Sequence, residues 1–149
     1  MDRTILRQEI EHHEGRVEGI YDDSLGFKTA GIGHRLLPGE ERLDWGDAAV
    51  VDRAFETDLD IAIGDARTFC NGELESYPQD VQHVVVGLAF NLGLGRLLGF
   101  KRFRAALMSR QWEECAAELI DSRWYTQTGR RARDYVGVFR RSASREAPV

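Results

Sequence analysis

The sequence predicts an α+β fold: a mostly helical chain with a small N-terminal β-hairpin lobe, joined by one long helix to a helical C-terminal lobe. Three observations predict it. Strand-like segments separated by turn chemistry occur only near the N-terminus, within residues 17–32. One apolar stripe at helical spacing then runs on for more than about five turns. Beyond it, every apolar pattern keeps the helical period.

Residues 2–14 read as a helix, because Leu6, Ile10 and His13 recur at helical spacing and Gly15 supplies the stop. Val17 to Tyr21 and Phe27 to Ile32 read as strands, with Asp22-Asp23-Ser24-Leu25-Gly26 as the turn of a hairpin. Leu37-Pro38-Gly39-Glu40 is a loop. The long helix starts near Asp44 or Asp47, with Ala48, Val51, Phe55, Leu59, Ala62, Ala66 and Phe69 on its apolar face. Ser76-Tyr77-Pro78-Gln79 has a capping-box pattern ahead of the stripe Val81, Val84, Val85, Leu88, Ala89 and Leu92. Gly93, Gly95 and Gly99 break the chain, and three short helices are expected over about 100–108, 112–121 and 130–141. The whole is expected to be a single domain. Its hairpin lobe spans about 15–46 and its linker helix about 47–69, while the helical lobe takes 70–141 plus the N-terminal helix. Residues 142–149 form a frayed tail.

At 149 residues the chain can bury a core without disulfides or metals. Cys70 and Cys115 lie far apart in sequence and are expected to be free thiols. No run reaches the roughly 18 apolar residues of a membrane span, so no stable membrane insertion is expected. The first residues carry no uninterrupted apolar core of an export signal. The net charge of −5 is uneven: residues 1–95 hold 8 basic and 19 acidic side chains, and residues 96–149 hold 12 and 6. The basic part can meet an anionic partner, with Arg102, Arg104 and Arg110 as exposed candidates.

Glu14 and Asp23 are the residues with candidate chemistry. Cleaving a glycosidic bond needs one neutral carboxyl to protonate the leaving oxygen and one ionised carboxylate to attack or to activate water. Glu14 closes the first helix, where the partial negative charge of the helix end disfavours ionisation. Asp23 lies in a polar turn, where solvent and turn amides favour it. Thr29 on the returning strand can face Asp23, and the two together can aim one water.

The segments His13-Glu14-Gly15, Ile20 to Gly26 and Thr29-Ala30-Gly31-Ile32-Gly33-His34 closely resemble the signature of the phage-type lysozymes, glycoside hydrolase family 24. That signature places eight residues between Glu and Asp and five between Asp and Thr, as do Glu14, Asp23 and Thr29. Phe90-Asn91-Leu92-Gly93 resembles a family segment lining the cleft, and Ser122 to Thr128 followed by Arg131 resembles its C-terminal motif. The resemblance implies a lysozyme-like fold and an endolysin, a muramidase of bacterial peptidoglycan. In it Glu14 is the proton donor, and Asp23 with Thr29 activates water with inversion. It further implies that Phe90 binds substrate, that Arg131 pairs with Glu14, and that Asp58 pairs with His34 to brace the hairpin. It implies no cofactor and no metal, and a monomer that accumulates in the host cytoplasm. Such a protein reaches the wall through a separate, holin-like membrane-opening protein.

Other readings are weaker. His12 and His13 are neighbours that face different ways on a helix, so they cannot chelate zinc as a pair one turn apart would. Gly31-Ile32-Gly33 is half a dinucleotide fingerprint without its third glycine. Trp45, Trp112 and Trp124 can stack on sugars, although Trp112 precedes an apolar helical stripe and reads as core. The arginine-rich stretch from Arg123 to Arg141 carries no recognised nucleic-acid motif, and no nucleic-acid partner is expected. A glycan-binding or virion-associated module that keeps the fold is the rival from another class. Finally, the short interval from His34 to Asp58 leaves Arg35 to Gly46 as an abbreviated cap on the small lobe.

Overall fold

The computed structural model describes residues 1–146, and among them it contains seven α-helices and one three-stranded antiparallel sheet. The chain divides into two compact units, residues 2–61 and residue 1 with residues 62 onward. The first helix therefore groups with the sheet, whereas its sequence assigned it to the helical lobe.

In the first unit, α1 (Arg3–Glu14) starts where the Asp2 carboxylate accepts the Ile5 N–H at 3.1 Å. It buries Leu6 and Ile10 and stops at Gly15, whose N–H returns to the Glu11 carbonyl at 2.8 Å. Strands β1 (Val17–Asp22), β2 (Lys28–Gly31) and β3 (His34–Arg35) follow in spatial order. Tyr21 pairs with Thr29 and Thr29 with Arg35, while Ile20, Ala30 and His34 form the adjacent row. Directly opposed residues share a face, so Tyr21, Thr29 and Arg35 stand together on one side of the sheet. The two-residue β3 is too short to leave a periodic signal and was not anticipated. After a 3-10 turn at Glu40–Arg42 comes α2 (Ala48–Phe69), which buries Val51, Phe55 and Leu59 in this unit and Ala66 and Phe69 in the next.

The second unit contains α3 (Gln79–Leu98), α4 (Lys101–Met108), α5 (Trp112–Ile120), α6 (Arg123–Thr128) and α7 (Arg130–Glu146). Its core is aromatic: Phe103 stacks on Phe69 at 6.1 Å and meets Phe139 edge-on at 5.6 Å, and Trp112 stacks on Phe139 at 6.3 Å. By length and composition alone α3 is long and apolar enough to cross a bilayer, although Gln82, His83, Asn91 and Arg96 interrupt its apolar residues. Most of it is buried inside the protein, as in the central helix of a helical core.

Three local expectations are corrected. Ser76 does not cap α3: it ends a 3-10 turn at Leu74–Ser76, and its hydroxyl donates to the Glu73 carbonyl at 2.6 Å. Pro78 stands at the cap instead, and its missing N–H costs nothing there. Residues 142–146 are not frayed but continue α7, with Ser142 buried and Arg145 paired to Asp80 at 3.1 Å; residues 147–149 lie outside the described residues. Arg104 is half-buried rather than exposed, whereas Arg110 is exposed as expected. Arg104 donates to the Phe69 carbonyl at 2.8 Å, and Arg110 donates to the Ser76 hydroxyl at 2.8 Å.

Candidate active site

Asp23 follows β1 and is fixed by the turn it makes. Its Oδ1 accepts the N–H groups of Leu25 at 2.9 Å and Phe27 at 2.8 Å, and its own N–H donates to the Phe27 carbonyl at 2.9 Å. One carboxylate oxygen is thus spent on backbone amides. The other, Oδ2, has the Arg35 guanidinium 3.7 Å away, too far for a hydrogen bond, and the side chain is 27% exposed. A carboxylate aimed in this way by its backbone keeps one oxygen for chemistry.

Thr29 is 5% exposed, and its hydroxyl donates to the Phe27 carbonyl at 3.0 Å. Its strand partner is Tyr21 rather than Asp23. With its proton committed, the Thr29 oxygen is left as an acceptor toward any further group. Tyr21 lies in the field of both carboxylates. Its hydroxyl pKa is raised above the ordinary value, first by burial and then by the nearby charges of Glu14 and Asp23.

Glu14 ends α1, and its carboxylate lies against Gly33. A Cβ on residue 33 would come within 2.7 Å of Glu14 Oε2, and Gly33 has φ +61°. Gly31, with φ +60°, is likewise tight against Val51, at 3.0 Å from a built Cβ. The two glycines of the Gly-Ile-Gly-His run therefore have a mechanical reason. They let the loop after β2 turn left-handed while passing beneath an acidic side chain and against α2.

His34 is 7% exposed and held between two carboxylates, with Nδ1 2.6 Å from Asp58 and Nε2 2.9 Å from Glu40. Its pKa is raised to about 9, chiefly by the Asp58 hydrogen bond; burial opposes the shift and Glu40 adds to it. Trp45 stacks on the imidazole at 5.3 Å, and its indole N–H donates to the Glu40 carbonyl at 2.9 Å. Glu40 is itself held below the usual carboxylate range. Burial works to raise it, but the Leu37 N–H and His34 outweigh that. Sequence reasoning missed Glu40, because an acidic residue in a loop six positions on carries no periodic signal. It also missed Gly33 and Tyr21 as neighbours of Glu14, although the glycine run and the parity of Tyr21 with Thr29 were legible clues.

Glu14, Asp23, Thr29, His34 and Asp58 all lie in the first unit, while Phe90 on α3 and Arg131 on α7 belong to the second. Trp45, Trp112 and Trp124 are all buried, which leaves none of the three free to stack on a sugar.

The family model described as phage lysozyme matches residues 11–145. The chain belongs to the phage lysozyme family. A probable T4-type lysozyme 1 of Dictyostelium discoideum is 22% identical, over 89% of this chain and 92% of its own. The pre-baseplate central spike protein Gp5 of Enterobacteria phage T4 is 24% identical over 85% of this chain but 26% of its own length. The peptidoglycan hydrolase gp36 of Pseudomonas phage phiKMV is 29% identical over 87% of this chain and 14% of its own. In this phage lysozyme family member, the matched span takes in Glu14, Asp23, Thr29, His34, Asp58, Phe90 and Arg131.

Proposed function

We propose that this phage lysozyme family member is a peptidoglycan hydrolase that cleaves the β-1,4 bond between N-acetylmuramic acid and N-acetylglucosamine and so lyses the host cell. The observation that carries the reading is the Asp23 carboxylate, fixed through Oδ1 by two backbone N–H groups while Oδ2 takes no hydrogen bond. It shares one compact unit with Glu14. Glu14 is the general acid. Asp23 Oδ2 and the Thr29 oxygen accept the two protons of one water, which Asp23 then activates for attack on the anomeric carbon. Glu14 protonates the departing oxygen, and the configuration inverts. A separation of about 6.5–9.5 Å between the two carboxyls suits that route.

Phe90 takes a substrate-binding role and Arg131 a supporting one, as the family resemblance implies. His34, clamped by Asp58 and Glu40, braces the loop that carries Gly33 against α2. No cofactor or metal enters. The protein works as a single catalytic domain and a monomer, accumulating in the host cytoplasm and reaching the wall through a holin-like partner. Release of new muramic-acid reducing ends from sacculi tests the activity, and full activity after Glu14→Gln would overturn the acid assignment. Proton NMR of early turnover tests the route. The first product is the α-anomer, and an initial β-anomer would make the reaction retaining and remove the water from Thr29.

The likeness to a central spike protein favours a second reading, in which the domain travels on the virion. Mass spectrometry of purified particles separates the two, since a free endolysin stays in the lysate.

A further inference from the structure

Arg35 stands out among the charges of the first unit. Residues 2–61 hold 7 basic and 15 acidic side chains, and three of the arginines are tied to carboxylates at close range. Arg3 pairs with Glu56 and Asp60, Arg7 with Glu56, and Arg16 with Glu11 and Asp52. Arg35 makes no hydrogen bond among the described residues, and its nearest carboxylate oxygen, Asp23 Oδ2, is 3.7 Å away. Its side chain is 56% exposed, yet the guanidinium is held, lying 3.7 Å over the centre of the Phe27 ring. Phe27 is itself 45% exposed, so this stacking serves no core. A cation on an aromatic face keeps its plane and its edge N–H donors while losing rotamer freedom. Register puts Arg35 directly opposite Thr29, in the row that Tyr21 completes.

A polymer carrying carboxylates is repelled by an acidic unit, and it needs a fixed cation where it lies across the reacting groups. We propose that Arg35, presented by Phe27, is a specificity-determining residue that binds a carboxylate of the wall glycan beside Asp23 and Thr29. This rests on the muramidase reading. The carboxylate comes either from the peptide attached to the muramic acid side arm or, where that peptide has been removed, from the side arm itself. Both are planar anions that match the guanidinium fork.

The test compares the parent protein with Arg35→Gln and Arg35→Lys on four sets of glycan strands: peptide-bearing, peptide-free, and each of these with its carboxylates amidated. On strands with free carboxylates Arg35→Gln raises KM about tenfold with kcat within a factor of two, and Arg35→Lys falls between. On amidated strands the parent and Arg35→Gln have the same KM. An effect on peptide-free strands alone places the muramic carboxylate on Arg35, since an attached peptide holds that carboxyl as an amide; one confined to peptide-bearing strands places a peptide carboxylate there, and one on both shows that Arg35 takes either. An unchanged KM on every strand, or an equal rise on amidated strands, overturns the proposal. Because Arg35 is exposed, both variants keep the parent Tm, which excludes unfolding as the cause. A parent protein that cleaves no strand at all would instead overturn the muramidase reading beneath it.

Discussion

The two compact units are held together by different physics. Residues 2–61 bury few large apolar side chains and join their helices and sheet through Arg3, Arg7, Arg16 and the Asp58-His34-Glu40 clamp. Residues 62 onward pack Phe69, Phe103, Trp112 and Phe139 into one aromatic cluster, with polar contacts mainly at the surface. Charge divides the same way. The first unit has eight more acidic than basic side chains, while residues 62–149 have 13 basic against 10 acidic. The unit with the candidate chemistry is therefore the one joined mainly by ion pairs, including a shifted histidine, while the other is packed around an aromatic cluster.

The largest effects should separate chemistry from stability. Glu14→Gln should lower kcat by about 10²–10⁴-fold and lower Tm far less than a core truncation does, since the substitution keeps the side chain's shape beside Gly33. Phe139→Ala, at a fully buried site, should cost about 3–5 kcal/mol yet retain activity per folded molecule. Turnover and urea melts on both variants check this. If Phe139→Ala abolished activity in the folded protein, the division of labour between the units would be wrong.

Next comes the response to pH. The folded pKa of His34 is raised to about 9 from 6.5, so the unfolded state gives up its proton first. The stabilisation is fully present below about pH 6.5 and drains away as pH rises through 9, up to about 3 kcal/mol in all. Urea melts between pH 6 and 9.5 should show that loss, and His34→Gln should remove most of it. A profile identical in the two proteins would mean that the clamp contributes nothing. Glu40 acts at the other end: its depressed pKa gives stability that is lost only as pH falls through its folded value.

Gly33→Ala should have an intermediate effect. A left-handed non-glycine residue costs about 1–2 kcal/mol, and the new methyl meets Glu14 Oε2. Activity should fall more than stability predicts, because the displaced group is the proposed acid. Parallel measurement of kcat and Tm decides. A drop in Tm without a drop in kcat would show that Glu14 moves aside harmlessly.

What was legible in the sequence follows the length over which each signal repeats. α1, the hairpin and α2 were readable because Leu6 and Ile10, the Asp22 to Gly26 turn, and the stripe from Ala48 to Phe69 repeat a period or a turn chemistry. The Glu14, Asp23 and Thr29 spacing was readable for the same reason, being local. Contacts made by one loop residue were not. Glu40 reaches His34, and Arg35 lies over Phe27, through a two-residue strand that has no period. The end of α7 was misread because its hold is remote: Arg145 donates to Asp80, 65 positions away.

The smallest effect tests that last contact and, with it, the contrast between the units. Arg145 donates to Asp80 at 3.1 Å and to the Ser142 hydroxyl at 2.9 Å. Its side chain is 52% exposed and that of Asp80 36%, so solvent and salt screen the pair. Exposed pairs of this kind contribute about 0.2–1 kcal/mol. Arg145→Gln should therefore lower stability by less than about 1 kcal/mol, and the difference from the parent should vanish in concentrated salt. The local effect should be clearer than the global one. Amide hydrogen exchange over residues 142–146 should speed up, because the last turn of α7 then relies on the burial of Ser142 alone. A global loss as large as that of Phe139→Ala would break the comparison. It would mean that the helical unit also depends on its ion pairs and that its aromatic core is not what holds it.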